Sequence, residues 1–298
     1  MANSITLVSK FVALIDTVYK LESKTAMLDA LTQTPDFLGA NEIKVMKLSA
    51  VGLGTYSRVT GYPAGNITAA WETMTLATER GRQFTLDRMD NEETLGLVLG
   101  GLIREWMRAY VAPELDAYRF AKYAAGAGLT VASPATLSTA ATVLAAIDAG
   151  NLAMSNQEVP EEGRKLFITY TLYELLKASL TRTWTNDGAV SRAVTSLEST
   201  QVIPVPQSRF YSAIDLDAGA TGGAGGFAKS GDTGTADLNF MIVAPSAVLQ
   251  PIKLNMVKYF SPDVWQGGDF HAWQYRLYHD AFVYDNKVNG IYTHLKDS

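Results

Sequence analysis

TLDRMDNEETLGLVLGGLIREWMRAYVAPELDAYRFAKYAAGA, residues 85–127, decides how the rest of the chain is read. Asp90 stands where a helix N-cap belongs, and Glu93 follows at the capping-box spacing. Apolar residues then recur at Leu95, Val98, Leu99, Leu102, Ile103, Trp106 and Tyr110, the stripe of an amphipathic helix. Pro113 lacks an amide donor and crowds the preceding turn, which predicts a kink or a restart there. Leu115, Tyr118 and Ala121 resume the stripe, and Gly126 and Gly128 end it. At about 1.5 Å per residue such a helix spans most of a domain, so other elements must lie along it.

Upstream, residues 4–32 carry Leu7, Phe11, Leu14, Val18 and Leu21 at helical spacing, an arm that ends near Thr34-Pro35. Packing on its own core and docking on a neighbouring copy both remain open. Glu42 to Ser49 is a strand candidate, and Ile67 to Thr78 is a second extended run. Between them lies GLGTYSRVTGYPAGN, residues 52–66, which reads as a mobile tip with little apolar content. A turn at Glu79-Arg80-Gly81 leads to a third run, Arg82 to Arg88. A two-stranded ribbon is marginal alone, so this one is expected to lie on its own domain or on another subunit.

Downstream, Ser133-Pro134 predicts the cap and first position of a helix through Leu137, Val143, Leu144 and Ile147, ending near Gly150. Residues 159–169 read as a turn and a strand, Tyr170 to Leu180 as a helix, Gln201 to Val205 as a short strand, and Arg209 to Leu216 as extended. Residues 217–236, DAGATGGAGGFAKSGDTGTA, read as a flexible, exposed loop. Leu238 to Val243 is a buried strand, Pro245 to Leu249 a short helix, and Ile252 to Phe260 extended. The aromatic-rich run 271–285 reads as a strand, with Gly290 to Leu295 pairing back after a turn at Asp285 to Asn289. Helices and strands are partly segregated, so the class is α+β.

The 298 residues suffice for one large domain or two ordinary ones, and 47% hydrophobic with 18% charged is a globular balance. No apolar run reaches the roughly 18 residues of a membrane span. The N-terminus MANSITLVSKF shows no signal-peptide pattern. The chain has no cysteine, so disulfides and thiolate metal sites are excluded. A formal charge of −5 argues against a surface wholly committed to phosphates.

A search for chemistry comes back empty. Gly223 to Ser230 approaches P-loop spacing, but Ala228 stands where a glycine must precede Lys229, and Gly231 to Gly234 would break the helix a P-loop needs. His271 and His279 share a strand face about 26 Å apart if extended, too far to chelate one ion, and they read as structural, as does His294. Asp87, Asp90, Glu92 and Glu93 could form a carboxylate pair, but capping and the helix dipole account for them. No nucleophile elbow or serine triad is present. The expectation is a protein without an active site, cofactor or metal.

Several pieces carry a family resemblance. LTQTPDFLGANEIKVMKLSAVGLGTYSR, WETMTLATERGRQFTLDRMDNEETLG and VAPELDAYRFAKYA resemble major capsid proteins of tailed bacteriophages. So do VPEEGRKLFITYTLYELL, QVIPVPQSRFY, DLNFMIVAPSAVL and WQYRLYHDAFVYDNKVNGIYTH, in the same order. The resemblance implies the Hong Kong 97-type coat fold. Residues 1–40 would be the N-terminal arm and 41–88 the hairpin called the E-loop. Residues 89–130 and 252–298 would form the peripheral domain on its spine helix, and 131–251 the axial domain.

The implied function is self-assembly, through pentamers and hexamers, into the icosahedral head of a virion built in the host cytoplasm. Packaged double-stranded DNA would be held without sequence-specific contact. Other implied partners are a portal and separate scaffolding or decoration proteins, and no membrane. The arm begins almost at Met1, so any scaffold is expected to be a separate protein. Lys44, Lys47, Arg58, Arg80, Arg82, Asp87, Asp90 and Glu93 are the candidates for contacts between subunits. Crosslinks between lysine and asparagine are not expected, since nothing marks an asparagine partner. The alternatives are an encapsulin-like nanocompartment, a tail-tube component, and an enzyme binding an anion with the glycine-rich loop 217–236.

Overall fold

The computed structural model describes residues 23–29, 41–89, 103, 105–131, 133–179, 183–184, 190–191, 194–197, 199–219 and 225–297. The chain divides into two compact units, Thr34–Thr78 and the remainder.

The smaller unit is a two-stranded antiparallel ribbon of Glu42–Ala50 and Ile67–Thr75, in register from Glu42 opposite Thr75 to Ala50 opposite Ile67. Its far end is a built turn. Ser57 and Gly61 exchange backbone hydrogen bonds at 3.1 and 2.8 Å, and the Ser57 hydroxyl accepts from the amides of Val59 and Thr60. Gly61 sits at φ +81°, where a side chain would be strained.

Among the described residues the larger unit has two main sheets, three two-stranded ones and two hydrophobic clusters. The six-stranded sheet runs Leu129–Thr130, Ile291–Leu295, Leu238–Val243, Lys165–Thr169, Thr200–Val205 and Ser196–Leu197. Leu238–Val243 is buried at every residue, as a central strand covered on both faces requires. The second sheet places Phe270–His279 between Ile252–Phe260 and Thr78–Asp87. Gly81 lies where the last two strands meet, and a Cβ there would come within 2.8 Å of the Tyr275 carbonyl oxygen.

The spine helix connects the two cores. Its earlier turns bury Ile103, Met107, Val111 and Leu115 against Val257, Trp273, Tyr275 and Leu277 of the three-stranded sheet. Its later turns bury Phe120 and Tyr123 in the core of the six-stranded sheet, where Phe120 meets Phe167 and Phe210 edge-on. Pro113 neither ends nor restarts the helix. Met107–Val111 is a π-helical turn in which the Ala112 amide reaches back to the Met107 carbonyl, and Ala112–Gly126 continues as α-helix. The widened turn directly before the proline accommodates its missing donor.

Other expectations are corrected. Residues 133–138 are not helical: the helix is Ala140–Asn156, and Thr139 with Thr142, not Ser133 with Pro134, forms the reciprocal cap. Glu79-Arg80-Gly81 is strand and not a turn. Within 217–236 the chain is not all loop, because Gly226–Lys229 pairs antiparallel with Ile214–Asp217. Ile291–Leu295 does not pair with the preceding strand. It lies between Leu238–Val243 and Leu129–Thr130. In each case a partner remote in sequence decided the conformation. The N-cap at Asp90, Glu93 and the first helical stripe to Leu102 lie outside the described residues, as does most of the arm.

Candidate functional site

The strand register gives the ribbon two unlike faces. Opposed residues share a face, and the faces alternate along each strand. Met46 opposite Trp71, Leu48 opposite Ala69 and Ala50 opposite Ile67 fall on one face. Met46, Leu48, Trp71 and Ile67 are 52%, 63%, 64% and 78% exposed, an apolar stripe turned to solvent. The other face carries Val45 with Glu72, Lys47 with Ala70, and Ser49 with Thr68. There Lys47 Nζ lies 3.4 Å from Glu72 Oε2.

The tip adds to the apolar surface. Leu53, Tyr56, Val59 and Tyr62 are all exposed, with the two tyrosine rings 4.9 Å apart. The expectation of little apolar content at the tip is therefore wrong where it matters. Glycine dominates the composition, but the large side chains that are present all face water.

The charged candidates divide by what they touch. Arg80 forms a bidentate pair with Glu114, at 2.6 and 3.2 Å, and donates to the carbonyls of Asp217 and Gly226. It thereby ties strand, spine helix and the base of the glycine-rich segment together. Asp87 accepts from the Met89 amide at 2.9 Å, a turn cap. Lys44 is 4.0 Å from Glu42 on the exposed ribbon. Among the described residues Arg58 and Arg82 have no ion-pair partner. Asp90 and Glu93 lie outside the described residues. Lys229, the residue an anion site would use, donates to Asp237 Oδ1 at 2.8 Å, so its charge is already matched.

Sequence reasoning missed one buried polar cluster among the described residues. Asp116 on the spine helix is fully buried and accepts five hydrogen bonds. Four come from Ser23–Thr25: the Ser23 hydroxyl at 2.6 Å, the Lys24 and Thr25 amides at 2.8 and 3.1 Å, and the Thr25 hydroxyl at 2.8 Å. The fifth comes from Arg209 Nη1 at 3.2 Å. One turn on, the fully buried Arg119 donates to the Thr25 hydroxyl at 2.9 Å and lies 3.1 Å from Asp29. The base of the N-terminal segment is thus clasped to the helix by a buried charge network centred on Asp116. The available signal was a charged pair at i, i+3 inside the stripe of Leu115 and Tyr118.

Two histidines are held neutral. Burial, reinforced by the Arg119 and Arg80 charges, pushes His279 down to about 3. Burial also lowers His294, whose Nδ1 lies 3.1 Å from Asn239 Nδ2. Among the described residues no group of His, Asp and Glu is placed to hold a metal ion. No described helix is long and apolar enough to cross a membrane.

The sequence matches no family model and no curated protein. Solved structures do match in fold. One from Gordonia phage Cozz has a TM-score of 0.61 over 93% of this chain and 87% of its own, at 14% identity. The capsid structure of the cyanophage P-SCSP1u has a TM-score of 0.58 over 90% and 87%, at 12% identity. A virus-like particle from Pyrococcus furiosus also has a TM-score of 0.58, over 97% and 99%, at 9% identity. At such identities the likeness is one of architecture: this α+β chain has the fold found in these phage, capsid and virus-like-particle structures.

Proposed function

We propose that this chain is the major capsid protein of a tailed bacteriophage, a structural protein that assembles with copies of itself into an icosahedral shell around double-stranded DNA. The observation that carries the reading is the apolar ribbon face of Met46, Leu48, Trp71 and Ile67, exposed on a chain whose fold recurs in capsid structures. Burying one such side chain contributes about 1.5–3 kcal/mol, so a stripe of them left in water calls for a cover. In a shell the cover is an adjoining copy.

In this reading residues 1–40 are the arm, 41–88 the Hong Kong 97-type E-loop, 89–130 with 252–298 the peripheral domain, and 131–251 the axial domain. The clasp at Asp116 fixes where the arm leaves its own subunit. Arg58 is the candidate for an ion pair between copies. Portal, scaffolding and decoration proteins are the further partners, and the finished shell belongs to the virion, assembled in the host cytoplasm.

Negative-stain microscopy of the expressed protein, with assay of nuclease-protected DNA in particles from infected cells, tests the reading. Closed shells and protected double-stranded DNA are expected. Helical tubes, or a chain that stays monomeric in every assembly buffer, would overturn it. The likeness to a virus-like particle supports one second reading, a nanocompartment holding protein cargo. Closed shells containing protein and no protected DNA would select it.

A further inference from the structure

A cavity of about 320 Å³ opens where the edge of the three-stranded sheet meets the spine helix. Its floor is aromatic. Trp106 meets Phe84 and Tyr275 edge-on, with ring centroids 5.2 and 5.3 Å apart. Tyr110, carried on the π-helical turn, lines the same space and is 62% exposed. Such a turn inside an α-helix is a frequent companion of functional sites.

One polar group in the lining is left over by the fold, Arg82. Its neighbour Arg80 directs its donors to Glu114 and two carbonyls, whereas Arg82 has no ion-pair or hydrogen-bond partner among the described residues. The chain makes room for its guanidinium: a Cβ on Gly219 or Gly225 would come within 2.6 or 3.1 Å of Arg82 Nη1, and both glycines have positive φ. His279 also lines the cavity, but its Nδ1 is buried out of reach of an atom in that space.

We propose that this cavity is a binding site for a small aromatic carboxylate. The aromatic walls take the ring, and Arg82 takes the carboxylate in a charge-assisted pair. The volume lies at the lower end of the usual range for small-molecule sites, which suits a single-ring ligand. This ligand site does not depend on shell formation, and it does not use Lys229.

The probe is 3-(4-hydroxyphenyl)propionate, titrated calorimetrically and by saturation-transfer NMR into the purified full-length chain. Saturable binding is expected, with at least tenfold weaker affinity in Arg82→Gln and for the probe's neutral amide. Arg82 is exposed, so the variant keeps the fold, and an unchanged melting temperature verifies that. A second variant, Tyr110→Ser, should weaken binding by removing a wall without touching the charge. Absence of saturable binding to the wild type overturns the assignment. So does equal affinity of the acid and its amide, or of the wild type and Arg82→Gln.

Discussion

The ribbon and the spine helix invert each other's chemistry. The helix buries full charges, Asp116 and Arg119, and satisfies Asp116 with five hydrogen bonds. The ribbon holds methionine, leucine, isoleucine and tryptophan in water. Buried charge is tolerated only where partners are complete, and exposed apolar surface is stable only until something covers it. The helix is therefore an interior completed within the chain around Asp116, and on the proposed reading the ribbon is one half of an interface. Every substitution below asks whether that division is real.

Asp116→Ala should have the largest effect. It leaves Arg209 without its carboxylate and frees Ser23–Thr25 from the helix, and breaking such a network costs about 3–5 kcal/mol. Chemical denaturation of the unassembled chain measures it. A loss under 1 kcal/mol, comparable to a surface change, would show that the clasp contributes little.

The finished interior also predicts an acid limb. His279 is pushed down to about 3, chiefly by burial, from 6.5 in the unfolded chain. Between those values the unfolded state binds a proton that the folded state does not. Stability is therefore full above pH 6.5 and falls as pH drops toward 3, at up to about 1.4 kcal/mol per pH unit from this group. His294 adds in the same direction. His279→Phe should flatten the fall in denaturant midpoint between pH 7 and 4. An unchanged slope would mean that His279 stays charged in the fold.

How much of this was legible beforehand follows the same division. The helical stripe from Leu115 onward was legible because it buries one face at regular spacing, Glu42–Ala50 through its partial alternation, and Leu238–Val243 through a mainly apolar run that is buried at every residue. The ribbon's apolar face was present in the alternation of Met46, Leu48 and Ala50, but which face stays wet depends on the register with Trp71 and Ile67. The clasp was hidden for a different reason. A carboxylate on a helix reads as solvent-facing until Ser23–Thr25, some ninety residues away, is brought against it. Ile291–Leu295 and Gly226–Lys229 were misread on the same account, since neither their partners nor their order in the sheet is encoded locally.

On the ribbon, Trp71→Ala should leave the unassembled chain's stability within about 0.5 kcal/mol, since the ring is already in water. Its effect should appear on assembly, where losing a central aromatic anchor costs about 2 kcal/mol or more per contact and raises the critical concentration at least tenfold. Light scattering against protein concentration reads this. A variant that assembles like the wild type would remove Trp71 from the interface.

Lys47→Ala supplies the control and the smallest effect. Lys47 lies on the opposite face and is matched within the ribbon by Glu72 at 3.4 Å, a pair that contributes about 0.2–1 kcal/mol. Its loss should trim the ribbon's own stability slightly and leave the critical concentration within about twofold of wild type, since two kcal/mol separates the faces more than tenfold. The two variants are read as a ratio in one scattering experiment at one salt concentration. If Lys47→Ala impairs shells as severely as Trp71→Ala, the interface is not confined to the apolar face, and both sides of the ribbon must be covered. If only Trp71→Ala does so, the period-two alternation alone determines which side meets the next copy.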